Sequence, residues 1–436
     1  MILYLEEKQS SRCNRSRRAL RRIRDYEDDY TTNNHKMAKA EVIKIILQNI
    51  VGPKPKATLE PVEELKQTLS KYFSLPTLPV NSGRSAIYLI LKAAGIGEGD
   101  EVLIQAYTCN SVPNPIIWTG AKPIYADINL DTLNVDVDDL KRKISSKTRA
   151  IILQHTLGRP GPIEEVMEIA KQMGLLLIED CAHCFGAGYK GQKLGTFGDA
   201  SILSFARGKV VSSISGGAVI VKNKKLLGKI ELLVDALPPT PKSHLFKDFL
   251  NFFTWRGILR RVYFNPFAYQ LIQALDKQNF FNPLYSSKEL KGLKPSWHPA
   301  KLHPIFVKVA LSELPKLEKQ NSRRGEIAEK YYQKIKNRKF RLLPKHKGIY
   351  LRVVSFYEDR DKFFKKARRH KLWFGNWYNA PVFPKETYLK EMGYTLGSCP
   401  QAEAAASQTI NLPNYPDMTD EQIDFAVDFI NKYDEL

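Results

Sequence analysis

"RAIILQHTLGRPGPIEEVMEIAKQMGLLLIED" runs from Arg149 to Asp180. Two short apolar runs, "AIILQ" and "LLLI", flank "IEEVMEIAKQMG", whose apolar residues return every three or four positions. Strand, amphipathic helix and strand within about 30 residues make a βαβ unit, with parallel strands and a right-handed crossover. Strands that read as unbroken apolar runs are buried on both faces, so helices must cover the sheet on each side.

The same alternation extends towards the N-terminus. "TLPV" leads into the helical "NSGRSAIYLILKAAG". Strand-like "EVLIQAY" and "KPIYADI" then alternate with helix-like "NPIIWTG" and "DVDDLKRKIS". A further helix is expected over "VEELKQTLSKYF", from Val62 to Phe73. This is an α/β domain with a mostly parallel sheet. After Gly217 the pattern changes. Residues 228–300 are rich in aromatic and basic residues and proline, as in "FLNFFTWRGILRRVYFNPF". One long helical signal, "KVALSELPKLEKQNSRRGEIAEKYYQKI", follows. A strand in "IYLRVVSFY", a helix in "RDKFFKKARRHK" and a terminal helix opened by Thr419 then read as a smaller C-terminal α+β domain. The expected division is a basic, disordered extension at 1–45, a large domain at 46–310 carrying the insertion, and the small domain at 311–436.

The 436 residues are 43% apolar and 26% charged, ample for a buried core. Five cysteines, few and odd in number, argue against a disulfide framework. No signal-peptide pattern or spanning apolar stretch is visible, so a cytoplasmic location is expected. The net charge of +21 points to anionic partners. No helix-turn-helix, zinc-finger or RNA-binding signature is found, which favours small anionic substrates or a membrane surface over nucleic acid. The aromatic-basic run fits a lid or dimer interface, or a membrane interface with Arg256, Arg260 and Arg261 on the headgroups.

Three motifs carry chemistry. The first is Lys209 in "SFARGK". As a phosphate-loop lysine it fails, because Leu203 stands where that motif has its first glycine and Val210 replaces the Ser/Thr. The second is the turn from strand to helix in "NSGRSAIYLIL". There Gly83, Arg84 and Ser85 would present backbone N–H groups to an anion. The third is "LLLIED", which ends a buried strand in Glu179-Asp180. A carboxylate at that edge of a parallel sheet faces the ligand crevice and needs a cationic partner. Cys181, His183 and Cys184 are spaced too tightly for a structural zinc site, and no second ligand pair follows, so no metal is expected. A lysine 29 residues after the Asp (209 − 180) and a phosphate-sized cradle together suit pyridoxal 5'-phosphate. Lysine would bond the aldehyde, and Asp180 would keep the ring nitrogen protonated.

These stretches, with "GDEVLIQAYTCNSV", "GAKPIYADI", "IEDCAHCFGAGYKGQKLGTFGDASILSFARGK" and "INLPNYPDMTDEQIDFAVDFI", resemble the DegT/DnrJ/EryC1/StrS family of sugar aminotransferases across most of residues 58–436. The resemblance implies a fold-type I pyridoxal-phosphate transferase. It implies Lys209 as the Schiff-base lysine, Asp180 as the pyridinium partner, and Ser204 with Gly83, Arg84 and Ser85 around the phosphate. His183 stands where relatives have a glutamine near the phenolic oxygen. Cys109 holds the place of a ring-stacking aromatic, with Tyr107 as its substitute. His155, Trp377, Tyr378 and Lys301 are expected near the substrate. Further implications are a homodimer, and amino transfer from glutamate or glutamine to a nucleotide-linked keto sugar, as in surface-polysaccharide synthesis. A non-sugar carbonyl substrate and a catalytically silent scaffold are the alternatives.

Overall fold

The computed structural model describes residues 60–254, 285–370 and 372–435. The N-terminal extension and the basic residues Arg256, Arg260 and Arg261 lie outside them. A helix α1 (Pro61–Phe73) precedes a seven-stranded sheet. Its strands are β1 (Thr77–Val80), β2 (Glu101–Gln105), β3 (Lys122–Ala126), β4 (Thr148–Gln154), β5 (Leu176–Asp180), β6 (Ala200–Ser204) and β7 (Gly217–Val221). Their order in space is β1-β7-β6-β5-β4-β2-β3. Only β7 is reversed, antiparallel to both β1 and β6; the other pairs are parallel. The βαβ unit of the opening stretch is β4, α5 (Ile163–Met173) and β5, with Ile152 beside Ile178 and Gln154 beside Asp180.

Helix α2 (Gly83–Ala93) follows β1 directly, and α3 (Pro113–Thr119) and α4 (Val137–Arg142) occupy the other crossovers. Ser82 caps α2, its Oγ accepting from the Ser85 N–H. Gly217 explains the Gly-Gly pair after Lys209. A Cβ there would lie 2.5 Å from the Ser82 carbonyl carbon and 2.6 Å from Gly83 N. A side chain would thus push β7 away from the start of α2, the corner that builds the site.

Beyond β7 come α6 (Lys224–Asp235) and α7 (Lys242–Thr254). The long helical signal near residue 310 is broken into α8 (Pro304–Glu313) and α9 (Leu317–Lys334), joined by a 3₁₀ turn at Leu314–Lys316. Pro315 is the physical reason, since its ring cannot continue an α-helix. The small α+β part is a three-stranded antiparallel sheet, β8 (Arg341–Leu342), β9 (Val353–Phe356) and β10 (Thr409–Leu412). Helices α10 (Arg360–Arg369), α11 (Pro400–Gln408) and α12 (Asp420–Asn431) accompany it. Thr419 and Gln422 form a capping box at the start of α12. Its core is separate, built around Tyr331, Phe363, Phe374 and Phe429. The segment between α10 and α11 instead packs into the large core through Tyr378, Val382 and Phe383. There Val382 and Phe383 pair with Thr108 and Cys109. Among the described residues no helix is long and apolar enough to cross a membrane.

Candidate active site

Strands β1, β5 and β6 end, and β7 begins, along one edge of the sheet, and a cavity opens there. Ser82, Gly83 and Arg84 line it from the start of α2, Asp180 and His183 from the end of β5, and Ser204, Arg207 and Lys209 from beyond β6. Cys109, Trp377, Tyr378 and Tyr285 close the other side. The lysine of "SFARGK" and the terminal aspartate of "LLLIED" therefore share one crevice.

Successive residues of a strand face opposite sides, which separates Glu179 from Asp180. Glu179 points into the protein. Its carboxylate accepts from the backbone N–H groups of Gly195 (2.9 Å), Phe197 (2.7 Å) and Gly198 (2.9 Å) and lies 3.2 Å from His155 Nε2. Burial pushes its pKa up, but His155 and these N–H groups outweigh that and hold it below the usual carboxylate range. Asp180 faces the cavity with Oδ1 accepting from the Ala182 N–H at 2.9 Å. Burial pushes its pKa up, opposed by that bond and by Lys209. At Lys209 burial pushes the amine's pKa down, helped by Arg352 and Arg84 and opposed by Cys109 and Asp180. The amine is thus easier to deprotonate than a free lysine and lies 5.1 Å from the Trp377 ring centroid.

His183 is held as a neutral ring. Burial, then Lys209 and Arg352, lower its pKa well below the ordinary value. Its Nδ1 accepts from the Leu157 N–H at 3.3 Å, so the proton sits on Nε2, 3.4 Å from the Tyr378 hydroxyl. The Trp377 ring stacks on it at 5.6 Å. His183 thus presents an N–H donor to the cavity.

Four expected site residues fall elsewhere. Tyr107 does not replace the stacking aromatic: it is fully buried, at φ 58°, with its hydroxyl bonded to Thr409 Oγ1 at 2.9 Å. The positive φ turns the chain between β2 and Cys109 and sends this ring beneath the site. Ser85 is enclosed, its Oγ donating to Asn81 Oδ1 at 2.6 Å and standing 3.0 Å from His298 Nδ1. Its N–H, the group expected at the anion, donates to Ser82 Oγ at 3.1 Å, so Ser85 caps α2 and ties its start to residues 297–300 instead of serving the cavity. His155 lies under β5 with both ring nitrogens engaged, Nδ1 accepting from Gly161 N–H at 3.0 Å. Lys301 is exposed and outside the cavity. His155, Cys181 and Cys184 bring three ligand-type atoms within 4.8 Å. His155 cannot serve there as a neutral ligand through Nε2, because Nδ1 faces an N–H and cannot carry the ring proton.

Three residues were missed. Arg207 sits between Ser204 and Lys209 in the lining. Glu289, fully buried in the short helix Ser287–Leu290, forms an ion pair with Arg84. The Tyr285 hydroxyl meets Cys109 Sγ at 3.1 Å. Arg207 had a signal, since it adjoins the motif. Glu289 had a short-range one, the Ser-x-x-Glu capping box that starts at Ser286, which marks a helix start but no role in the site; Tyr285 had none.

The donor set fits pyridoxal phosphate. First-turn N–H groups of a helix lack intrahelical acceptors, and here the start of α2 at Gly83 and Arg84 lines the cavity together with Arg207 and Ser204. Asp180 is opposite Ile202 across one strand spacing, and Ser204 is two residues further. The two backbones are then roughly 8 Å apart, about the span of a pyridine ring with its phosphate arm.

Known proteins bear on this arrangement. The model of the DegT/DnrJ/EryC1/StrS aminotransferase family matches residues 57–236 and 297–431. GDP-perosamine synthase from Escherichia coli O157:H7 is 43% identical over 147 residues, 34% of this chain and 40% of that protein. The spore coat polysaccharide biosynthesis protein SpsC of Bacillus subtilis is 27% identical over 364 residues, 80% of this chain and 83% of that protein. The PLP-form structure of the sugar aminotransferase Spr1654 from Streptococcus pneumoniae superposes with a TM-score of 0.68 at 21% identity. That superposition covers 91% of this chain and 96% of the other.

Proposed function

The chain belongs to the DegT/DnrJ/EryC1/StrS aminotransferase family, whose members depend on pyridoxal phosphate, and from that premise we propose that it aminates a nucleotide-linked keto sugar with glutamate or glutamine as donor. The reading is carried by one observation: Lys209 and Asp180 line the same cavity, beside a cationic corner at the start of α2. The bound cofactor would supply an electron-withdrawing pyridinium ring.

The protein's own groups then divide the work. Asp180, placed to face the ring nitrogen, would hold its proton. Ser204, Arg207, Arg84 and the backbone at Gly83 would bind the phosphate. His183 Nε2–H would donate to the phenolic oxygen. Lys209, with its lowered pKa, would be the base that holds and moves the proton at the donor's α-carbon. Cys109 and Tyr285 flank the space left for substrate. GDP-perosamine synthase carries a nucleotide amino sugar in its name, which supports a substrate of that class. The net charge of +21 suits a substrate bearing a diphosphate.

A spectral screen tests the proposal. The cofactor is aminated with glutamate, and then each of a panel of nucleotide-linked keto sugars is added. Return of the original absorbance with one or a few of them supports the reading. If none restores it while simple 2-keto acids do, the sugar assignment is wrong.

A further inference from the structure

Behind the start of α2 lies a chain of buried polar groups. Glu289 turns Oε2 to its own helix start, where it accepts from the Ser286 N–H and the Ser286 hydroxyl, both at 2.8 Å. Its Oε1 faces Arg84, in an ion pair, and His298 Nε2 at 3.9 Å. His298 is 3% exposed and packs against the rings of Trp118 and Trp297. The contacts of its other nitrogen fix where the ring proton sits. Asn81 Oδ1 accepts from the Ala300 N–H at 3.2 Å and from the Ser85 hydroxyl at 2.6 Å. That spends Ser85's single O–H, so Ser85 Oγ accepts from His298 Nδ1–H at 3.0 Å. Nε2 of the neutral ring therefore carries the lone pair, beside the Glu289 carboxylate. Burial, then Arg84 and His244, push the His298 pKa well below its ordinary value. Arg84 thus acts on two neighbours at once: it neutralises Glu289 and opposes a proton on His298.

We propose that an anion bound at the start of α2 draws Arg84 off Glu289, and that His298 then takes a proton from solvent on Nε2 and becomes the carboxylate's counter-ion. A buried carboxylate left without a cation is costly, and that cost drives the uptake. Nδ1–H stays on Ser85, so the ring keeps its place, and Nε2 already lies within ion-pair reach of Oε1. The other ionisable groups around this ring are His244 and Asp248 of α7, 3.2 Å apart, and His244 opposes the proton. Neutralising Arg84 removes the nearer opposing charge and leaves Glu289 to favour the imidazolium. Anion binding therefore raises the His298 pKa, and by linkage the anion binds more tightly as pH falls. His298 is a positioning residue in this arrangement: it acts through Glu289 on the arginine that meets the anion. The proposal rests on the reading of that corner as the cofactor's phosphate site.

The test uses the full chain stripped of cofactor, and inorganic sulfate, whose own charge is constant near neutral pH. Its affinity is measured by calorimetry between about pH 6 and pH 8, the range in which a histidine can titrate. One coupled proton weakens binding by up to about tenfold per pH unit, and wild type should lose at least about tenfold across the range. Lys209 contributes to that slope as well, so the variants decide. His298→Asn places an amide N–H where Nδ1–H stood, keeps the bond to Ser85 and cannot titrate. Its slope should be smaller by about half a proton or more. Glu289→Gln removes the charge that calls for a counter-ion and should flatten the slope likewise; it serves if His298→Asn does not fold. A slope equal to wild type in a folded variant overturns the proposal and leaves the corner as an anion site. Sulfate that does not bind, or binds without competing with pyridoxal phosphate, rejects the phosphate reading of the corner and the proposal with it.

Discussion

The cavity at the sheet edge has two unlike walls. One is the sheet wall: Asp180, Ser204, Lys209 and the start of α2, fixed by strand register and by the Gly217 contact. The other includes Tyr285 and, behind Arg84, Glu289, in residues 237–296 that the family model does not match. That second wall is held by a few side chains. Asn114 Nδ2 donates to the Glu289 carbonyl at 3.0 Å, and Trp118 Nε1 to that of Gly292 at 3.1 Å. The groups proposed for the chemistry lie on the wall that backbone geometry defines, and Tyr285 and Glu289 lie on the wall that single contacts define.

The largest effect should come from the sheet wall. Lys209→Ala removes the amine proposed as the base, and turnover should fall by at least about 10³-fold while the melting temperature barely moves. Steady-state rates and a thermal melt together check this. A comparable loss on truncating the other wall would erase the distinction.

Glu289→Gln addresses the second wall. Arg84 would be left buried beside a neutral amide, at a cost of about 3–5 kcal/mol if the cleft stays closed. The melting temperature of cofactor-free protein should drop, and added inorganic phosphate should recover more of it than in wild type, since the anion would replace the lost charge. No extra recovery would mean that Arg84 does not face the phosphate.

A pH profile sharpens the comparison further. Burial and the cations Arg352 and Arg84 lower the Lys209 pKa, so the neutral amine is present at lower pH than for an exposed lysine. The rate of the donor half-reaction should rise with pH through that lowered value. Arg352→Gln removes one of the depressing charges and should move the rising limb to higher pH. A shift to lower pH would contradict the sign. The smallest effect is expected for Tyr285→Phe, which removes only the hydroxyl contact with Cys109, about 1 kcal/mol, and should change kcat/KM less than tenfold.

The sheet wall was legible in the sequence because its signals are collective. An apolar run fixes a buried strand, alternation with helices fixes its neighbours as parallel, and a terminal acid marks the ligand edge. Where the reading failed, a local contact decided. Tyr107 lies two residues from Cys109, yet a positive φ sends its ring under the site. Ser85 belongs to the cradle motif, but Ser82 Oγ takes its N–H, and Asn81 and His298 claim its hydroxyl. His155 is next to β4's end, and Glu179 and Gly161 take both of its nitrogens. Lys301 was read from a loop with no periodicity, which also hid Tyr285, and the capping box at Ser286 marks Glu289 only as a helix start.

The central claim is that the amine at 209 bonds the cofactor's aldehyde. Borohydride reduction of the yellow holoenzyme, digestion and mass spectrometry test it without relying on turnover. A pyridoxyl mass on the peptide containing Lys209, absent from Lys209→Ala protein, is the expected result. The label on another lysine, or on none, would contradict the account.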